Sequence, residues 1–207
     1  MKAILLGNAG AGKSTLARQL IGERPIARLS LDEIAWDEGP ERKPLSESLA
    51  LLHEFIGQHE HWVIEGCYSD LIEAALPHCS ELRFLNPGTD TCIAHCRSRP
   101  WEPEKFASPE QQQAMLEYLI DWVGSYASRD DEYGLQRHRQ LFERFTGPKV
   151  EYLSPASNPA PWQLYRIDDN GNEITMQRFS DYSEAECTRQ DFEQRGHKQT
   201  YLIKASP

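Results

Sequence analysis

The sequence predicts an α/β protein of three αβα layers, a five-stranded parallel sheet between two sets of helices, followed by a small ββαβ appendage. Three observations predict it. Short apolar runs rich in β-formers alternate with longer helical stretches. A glycine-rich run, Gly7-Asn8-Ala9-Gly10-Ala11-Gly12-Lys13-Ser14-Thr15, falls between the first strand and the first helix. After Leu153 the texture changes to a proline-rich stretch and then to hairpin signals. Alternation of this kind requires parallel strands joined by crossovers, with helices on both faces and ligands at the carboxyl ends of the strands.

Taken in order, candidate strands cover residues 2–6, 26–31, 62–65, 81–85 and 149–153. Two helices are expected over 108–126 and 130–145. The first opens on Ser108-Pro109-Glu110, an N-cap with proline in the first turn. Its apolar residues Met115, Leu116, Leu119, Ile120 and Val123 recur at helical spacing and are expected in the core. Gly147-Pro148 stops the second helix. Residues 155–161 read as a linker, so the main domain is expected over 1–154 and the appendage over 162–207. In the appendage, Asp168-Asp169-Asn170-Gly171-Asn172 joins two strands as a hairpin, Ser183-x-x-Glu186 opens a helix as a capping box, and 199–204 forms a last strand.

The glycine run matches the phosphate-binding loop G-x-x-x-x-G-K-[ST] at every fixed position. The chemistry needs strand, loop and helix in that order, because successive backbone N–H groups and the helix N-terminus must point at one phosphate chain. Residues 7–15 are therefore the expected nucleotide cradle. Lys13 would reach the β- and γ-phosphates, and the Ser14 hydroxyl would ligate Mg²⁺. Asp32, Glu65 and Asn86 follow three other strands and should face the same cleft.

Composition narrows the partners. A net charge of −10 and a pI near 5.2 argue against a nucleic-acid or anionic-membrane surface. The five cysteines, Cys67, Cys79, Cys92, Cys96 and Cys187, contain no C-x-x-C pair, and Cys92, His95 and Cys96 lack a fourth partner at zinc spacing. Reduced thiols are expected. Met1 enters the first strand directly, and no apolar run approaches membrane-spanning length, so a cytoplasmic protein is expected.

Two groups of arginines lie where a small kinase would place its lid: Arg97 and Arg99 after the fourth strand, and Arg129-Asp130-Asp131 with Arg137 and Arg139 beyond it. They either grip phosphate oxygens or lie solvated on helix faces. The loop, the Arg-Asp-Asp segment and the arginine eight residues after Asp131 resemble the adenylate-kinase-type family of nucleoside and nucleotide kinases, members of the P-loop NTPases. Leu31-Asp32-x-x-x-Trp36 and Trp62-Val63-Ile64-Glu65-Gly66-Cys67-Tyr68 are similar to the FlaR-like topology-modulation and shikimate-kinase-like small ATPases. Those relatives usually carry Asp-Gly-Asn-Tyr where this chain has Glu65-Gly66-Cys67-Tyr68, and often an aspartate where Asn86 stands.

The resemblance implies a phosphotransferase that uses ATP and Mg²⁺ on a small acceptor, with a lid-like segment at about 97–108. Asp32 becomes the base or acceptor-orienting group, or else a helix N-cap. Trp36 and Tyr68 line the acceptor pocket or belong to the core. Glu65 is a Mg²⁺-water ligand or a salt-bridge partner of Lys13. Arg97, Arg99 and Arg139 would close over the transferring group. The rival expectation is a nucleotide-dependent module that engages a protein partner through residues 162–207.

Overall fold

The computed structural model describes residues 1–37, 41–101, 107–155, 159–195 and 199–206. Five strands, β1 (Lys2–Gly7), β2 (Ala27–Ser30), β3 (Trp62–Gly66), β4 (Glu81–Leu85) and β5 (Lys149–Tyr152), form one parallel sheet in the order β2-β3-β1-β4-β5. β3 and β4 are buried at every position, as parallel strands covered on both faces must be, whereas the edge strands β2 and β5 are only partly buried. The chain leaves β1 for β2 and β3 on one side and then crosses to β4 and β5 on the other. The crevice of the sheet therefore opens at the carboxyl end of β1.

Among the described residues seven α-helices accompany this sheet: α1 (Lys13–Ile21), α2 (Leu31–Ala35), α3 (Leu45–Gln58), α4 (Ser69–Ala75), α5 (Thr89–Arg97), α6 (Pro109–Gly124) and α7 (Leu135–Arg144). Leu16, Ala17 and Leu20 of α1 and Cys92 and Cys96 of α5 pack on Ala3, Leu5 and Leu85. On the other face Leu52 of α3, Leu71 and Ile72 of α4 and Leu141 of α7 cover Ile4, Leu6, Ile64 and Phe84. Among the described residues no helix is long and apolar enough to cross a membrane.

Several elements depart from the sequence reading for local reasons. The Ser108 hydroxyl does cap α6, accepting from the Gln111 N–H at 3.2 Å, and Ile120 and Val123 are buried, but Met115 is half exposed. The helix expected from residue 130 begins only at Leu135, because Asp131 accepts from the Tyr133 N–H (3.0 Å) and from Arg129, holding a turn in place of the helix. Asp32 is not an N-cap: α2 starts two residues earlier than that reading requires, at Leu31, with Ser30 in the capping position.

The carboxyl segment folds as β6 (Trp162–Ile167), β7 (Glu173–Phe179), α8 (Tyr182–Gln194) and β8 (Thr200–Ala205), an antiparallel sheet in the order β7-β6-β8 with one helix. The Asp168 carboxylate holds the hairpin turn through the Asn170 and Asn172 N–H groups (2.9 and 2.8 Å). The cap of α8 is Asp181, which accepts from the Ser183 N–H, so the expected Ser183 capping box does not form.

This segment shares a core with the parallel sheet: Trp162, Leu164, Phe179, Ala185 and Tyr201 join Ala3, Leu5 and Leu20. A fully buried ion pair on β4 fixes the junction. Arg83 donates to Glu81 (2.8 Å) and to the carbonyls of Pro159 (3.2 Å) and Ser180, while Glu81 accepts from the Trp162 indole (2.6 Å) and the Tyr182 N–H (2.9 Å). Because the remaining partner would be a buried, unpaired carboxylate, Arg83→Met is expected to destabilise by about 3–5 kcal/mol. The double change Glu81→Leu/Arg83→Met should recover part of that loss. Urea unfolding measures both, and an Arg83→Met midpoint equal to wild type would refute the role.

A second buried link involves His138, fully buried on α7. Its Nε2–H donates to the Cys67 carbonyl (2.9 Å), and its Nδ1 accepts from the Tyr126 hydroxyl (2.7 Å). Burial pushes its pKa down to about 4 from the ordinary 6.5. The folded chain thus refuses a proton that the unfolded chain accepts below pH 6.5, so this stability is intact above 6.5 and is lost as pH falls toward 4. A loss of roughly 3 kcal/mol is expected across that window. His138→Gln should show a shallower decline in melting temperature between pH 7.5 and 4.5; an unchanged slope would refute the assignment.

Candidate functional site

The glycine loop connects β1 to α1 at the crevice. Gly10 has φ +78°, and a Cβ there would lie 2.3 Å from the Cys92 carbonyl oxygen and 2.9 Å from Cys96 Sγ, so only glycine lets the loop press against α5. Gly12 also needs a left-handed conformation (φ +94°), yet no protein atom lies within 4 Å of where its Cβ would be. The space above Gly12 is open. Asn8, almost fully buried, accepts from the Ala9 N–H (2.9 Å) and donates to the Val123 carbonyl (3.1 Å), while the His95 Nδ1–H donates to the Gly10 carbonyl (2.8 Å). Ala11 is buried beneath the loop and Thr15 is exposed on α1. Lys13 folds back, its ammonium donating to the carbonyls of Gly7 (3.0 Å) and Asn8 (2.8 Å).

Glu65, at the end of β3 and 3% exposed, accepts from the Ser14 hydroxyl at 3.0 Å and from Arg28 at 2.5 Å. The salt bridge to Lys13 considered from the sequence is replaced by one to Arg28. An oxygen-only pair of hydroxyl and carboxylate suits a hard divalent cation, so Ser14 and Glu65 fit Mg²⁺ by the chemistry of their donors.

Across the crevice the Trp36 indole N–H donates to the Tyr68 hydroxyl (2.5 Å), which in turn donates to Asp32 Oδ1 (2.6 Å). An indole nitrogen only donates, so the direction of the chain is fixed and Asp32 is its terminal acceptor. Burial first, and then the Asp32 charge, hold the Tyr68 phenol far above its ordinary range, so it stays a donor. Tyr68 is buried and Trp36 is partly exposed. Cys67, its thiol pushed up to about 12 by burial, is not a nucleophile.

The arginines separate into roles that spacing alone does not reveal. Arg97 and Arg99 are exposed at the end of α5, and neither has a hydrogen bond or ion pair among the described residues. Residues 102–106 of the expected lid segment lie outside the described residues. Arg139 makes a bidentate pair with Glu151 (2.6 Å twice) and lies 4.9 Å from the centre of the Phe84 ring. Asn86, expected at the cleft, donates to the same Glu151 (3.0 Å). That pairing with Arg139 holds the Glu151 carboxyl below its usual range. Arg137 pairs with Glu73.

Arginines not assigned to the site from the sequence stand close to it. Arg129 is bound to Asp131 and stacks 4.4 Å from the Trp122 ring centre and 5.2 Å from that of Tyr133. Arg42 pairs with Asp70 and Glu132 and stacks on Tyr68 (5.2 Å) and Tyr133 (5.8 Å). The charges of both Lys13 and Arg129 act on Cys67 and His138. The Arg-Asp-Asp run was a signal for Arg129; Arg42 and Arg28 had none, since their partners are distant in sequence. A groove of about 640 Å³ lined by Arg24, Pro25, His61, Phe179 and Cys187 lies at the opposite, amino end of the strands and holds none of these groups.

No protein-family model and no curated protein sequence matches the chain. Solved structures to which it is similar include a deoxyadenosine kinase from M. mycoides with bound dATP, at 13% identity over 73% of this chain and 90% of that one, TM-score 0.39. A shikimate kinase from Bacteroides thetaiotaomicron is 17% identical over 93% of this chain and 98% of that one, TM-score 0.47. A shikimate kinase from Acinetobacter baumannii in complex with shikimate is 17% identical over 68% and 91%, TM-score 0.37. The chain's own geometry, a phosphate loop at the carboxyl end of the central strand of a β2-β3-β1-β4-β5 parallel sheet, is that of a P-loop αβα fold.

Proposed function

We propose that the protein is a phosphotransferase that uses ATP and Mg²⁺ to phosphorylate a small acceptor. The reading rests on one observation: the phosphate loop, the Ser14–Glu65 oxygen pair and the Asp32–Tyr68–Trp36 chain all face one crevice at the carboxyl ends of β1, β3 and β2.

In this reading residues 7–15 cradle the triphosphate, and the Lys13 ammonium exchanges the Gly7 and Asn8 carbonyls for phosphate oxygens. Ser14 and Glu65 would hold Mg²⁺, which when bound offsets charge on the phosphates. Tyr68 occupies one oxygen of Asp32, leaving the other to orient the acceptor and take its proton. Trp36 and Tyr133 flank the acceptor side. Arg97 and Arg99, free of ion pairs among the described residues, are able to close over the transferring group and exclude water. Arg139 would join them only by giving up Glu151.

The alternative, a nucleotide-dependent module that recruits a protein through residues 162–207, has less support, because the apolar side of that segment is buried against its own parallel sheet. An acceptor screen by coupled ADP release separates the two. Acceptor-stimulated release supports the kinase, and its absence together with ATP-dependent capture of a partner supports the module.

Lys13→Ala is expected to lower ATP turnover by about 10²–10³-fold, as loss of a preorganised charge donor does. Asp32→Asn should cost about 10²–10⁴-fold in acceptor-dependent turnover while ADP affinity, read by calorimetry, stays the same. Full turnover in Lys13→Ala would sink the assignment. For the lid, the double change Arg97→Ala/Arg99→Ala should depress turnover far more than ADP binding; equal losses in both would count against closure.

A further inference from the structure

Glu65 and Arg28 form a pair that the phosphate site does not require. Arg28 sits on β2 opposite Val63, and Glu65 stands two residues further along β3, so the two side chains are diagonal neighbours on the same face of the sheet. The Arg28 guanidinium reaches Glu65 Oε1 at 2.5 Å, while Oε2 accepts from Ser14. Glu65 is 3% exposed, so its charge requires a partner in the absence of metal. Lys13, the nearest cation in sequence logic, is turned away onto the Gly7 and Asn8 carbonyls. Arg28 is different in one respect: it lies on an edge strand with its side chain 34% exposed, and therefore has a path into solvent.

We infer that Arg28 is a resident counter-ion that occupies the divalent-cation position's carboxylate until nucleotide arrives, so that metal binding to Ser14 and Glu65 is coupled to nucleotide binding. The inference rests on the reading of this crevice as a metal–nucleotide site. A fixed positive charge on Glu65 opposes a free divalent ion, because the ion must displace the guanidinium from a buried carboxylate or accept its repulsion at close range. Nucleotide phosphates change the balance. They would bring negative charge to Ser14 and the loop, Ser14 and Glu65 would then hold the cation together with that charge, and Arg28 would swing out along the sheet edge. The carboxylate thus has one counter-ion in each state. The two carboxylate oxygens of Glu65 let one side chain hold both Ser14 and Arg28 of the edge strand.

Mn²⁺ binding by the full chain, followed by electron paramagnetic resonance with and without ADP, tests this. Wild type should bind Mn²⁺ weakly alone and much more tightly with ADP. Arg28→Met should bind Mn²⁺ alone about tenfold tighter than wild type, Arg28→Lys should behave as wild type, and Arg28→Met/Glu65→Gln should lose the gain. Should Arg28→Met not fold, Arg28→Gln, which keeps a donor to Glu65 without the charge, carries the same comparison. Normal Mn²⁺–ADP binding with no gain in the uncharged variants overturns the inference and leaves the nucleotide site standing. Failure of wild type to take up Mn²⁺ even with ADP overturns both.

Discussion

The crowding of the glycine loop against α5 is the constraint on which the site depends. At Gly10 the backbone approaches the Cys92 carbonyl so closely that no side chain fits, and His95 and Asn8 tie the same loop to α5 and α6. Loop backbone is normally the most mobile part of a domain. Here its polar groups are claimed by three neighbouring elements, and the conformational entropy of ordering it has been met during folding rather than at binding. The open side at Gly12 is the complement of that crowding. Everything pressed against the loop comes from one side, which leaves the other for a ligand.

Charge at the site follows a simple division. The chain has 22 basic against 32 acidic side chains, so most arginines near the crevice are matched by a carboxylate: Arg28 by Glu65, Arg42 by Asp70 and Glu132, Arg129 by Asp131, Arg139 by Glu151. Lys13 is held by neutral carbonyls, which satisfy its hydrogen bonds without cancelling its charge. Arg97 and Arg99 have no carboxylate among the described residues. Of the cations named near the crevice, Lys13, Arg97 and Arg99 are therefore the ones whose charge no carboxylate of the described residues offsets, and a polyanion entering there would meet it. Net charge, a sum over the whole chain, does not register this local arrangement.

What was legible in the sequence follows the range of the interactions. The loop, the strands and the appendage hairpin depend on neighbours a few residues away, and each stands where the pattern put it. The Asp131 turn is also local, but there a side chain competes with the helix for backbone N–H groups, and helical spacing cannot register that competition. Met115 lies half exposed while Ile120 and Val123 of the same helix are buried, a difference set by tertiary placement and not by helical spacing. The Arg28–Glu65 and Arg139–Glu151 pairs were illegible for a firmer reason. Arg28 meets Glu65 only because β2 pairs with β3 in a particular register, and Arg139 meets Glu151 only because α7 folds back along β5. The chemistry of each residue was readable, whereas the identity of its partner needed the topology.

The carboxyl segment bears on the site through a single strand. A parallel sheet must be covered on both faces, and α1, α5 and α6 cover one face toward its carboxyl end, where the loop lies. Toward the amino end that face is covered by Trp162, Leu164, Phe179 and Ala185, so the appendage completes a layer that the main helices leave unfinished. Its anchors, Glu81 and Arg83, occupy alternate positions of β4, and the same strand ends at Leu85 beside the glycine loop. Five residues of extended backbone thus join the docking pair to the back wall of the phosphate site. A strand paired on both sides, with β1 and β5, has little freedom to bend between those points. The appendage is thus anchored on the same strand whose carboxyl end stands beside the glycine loop.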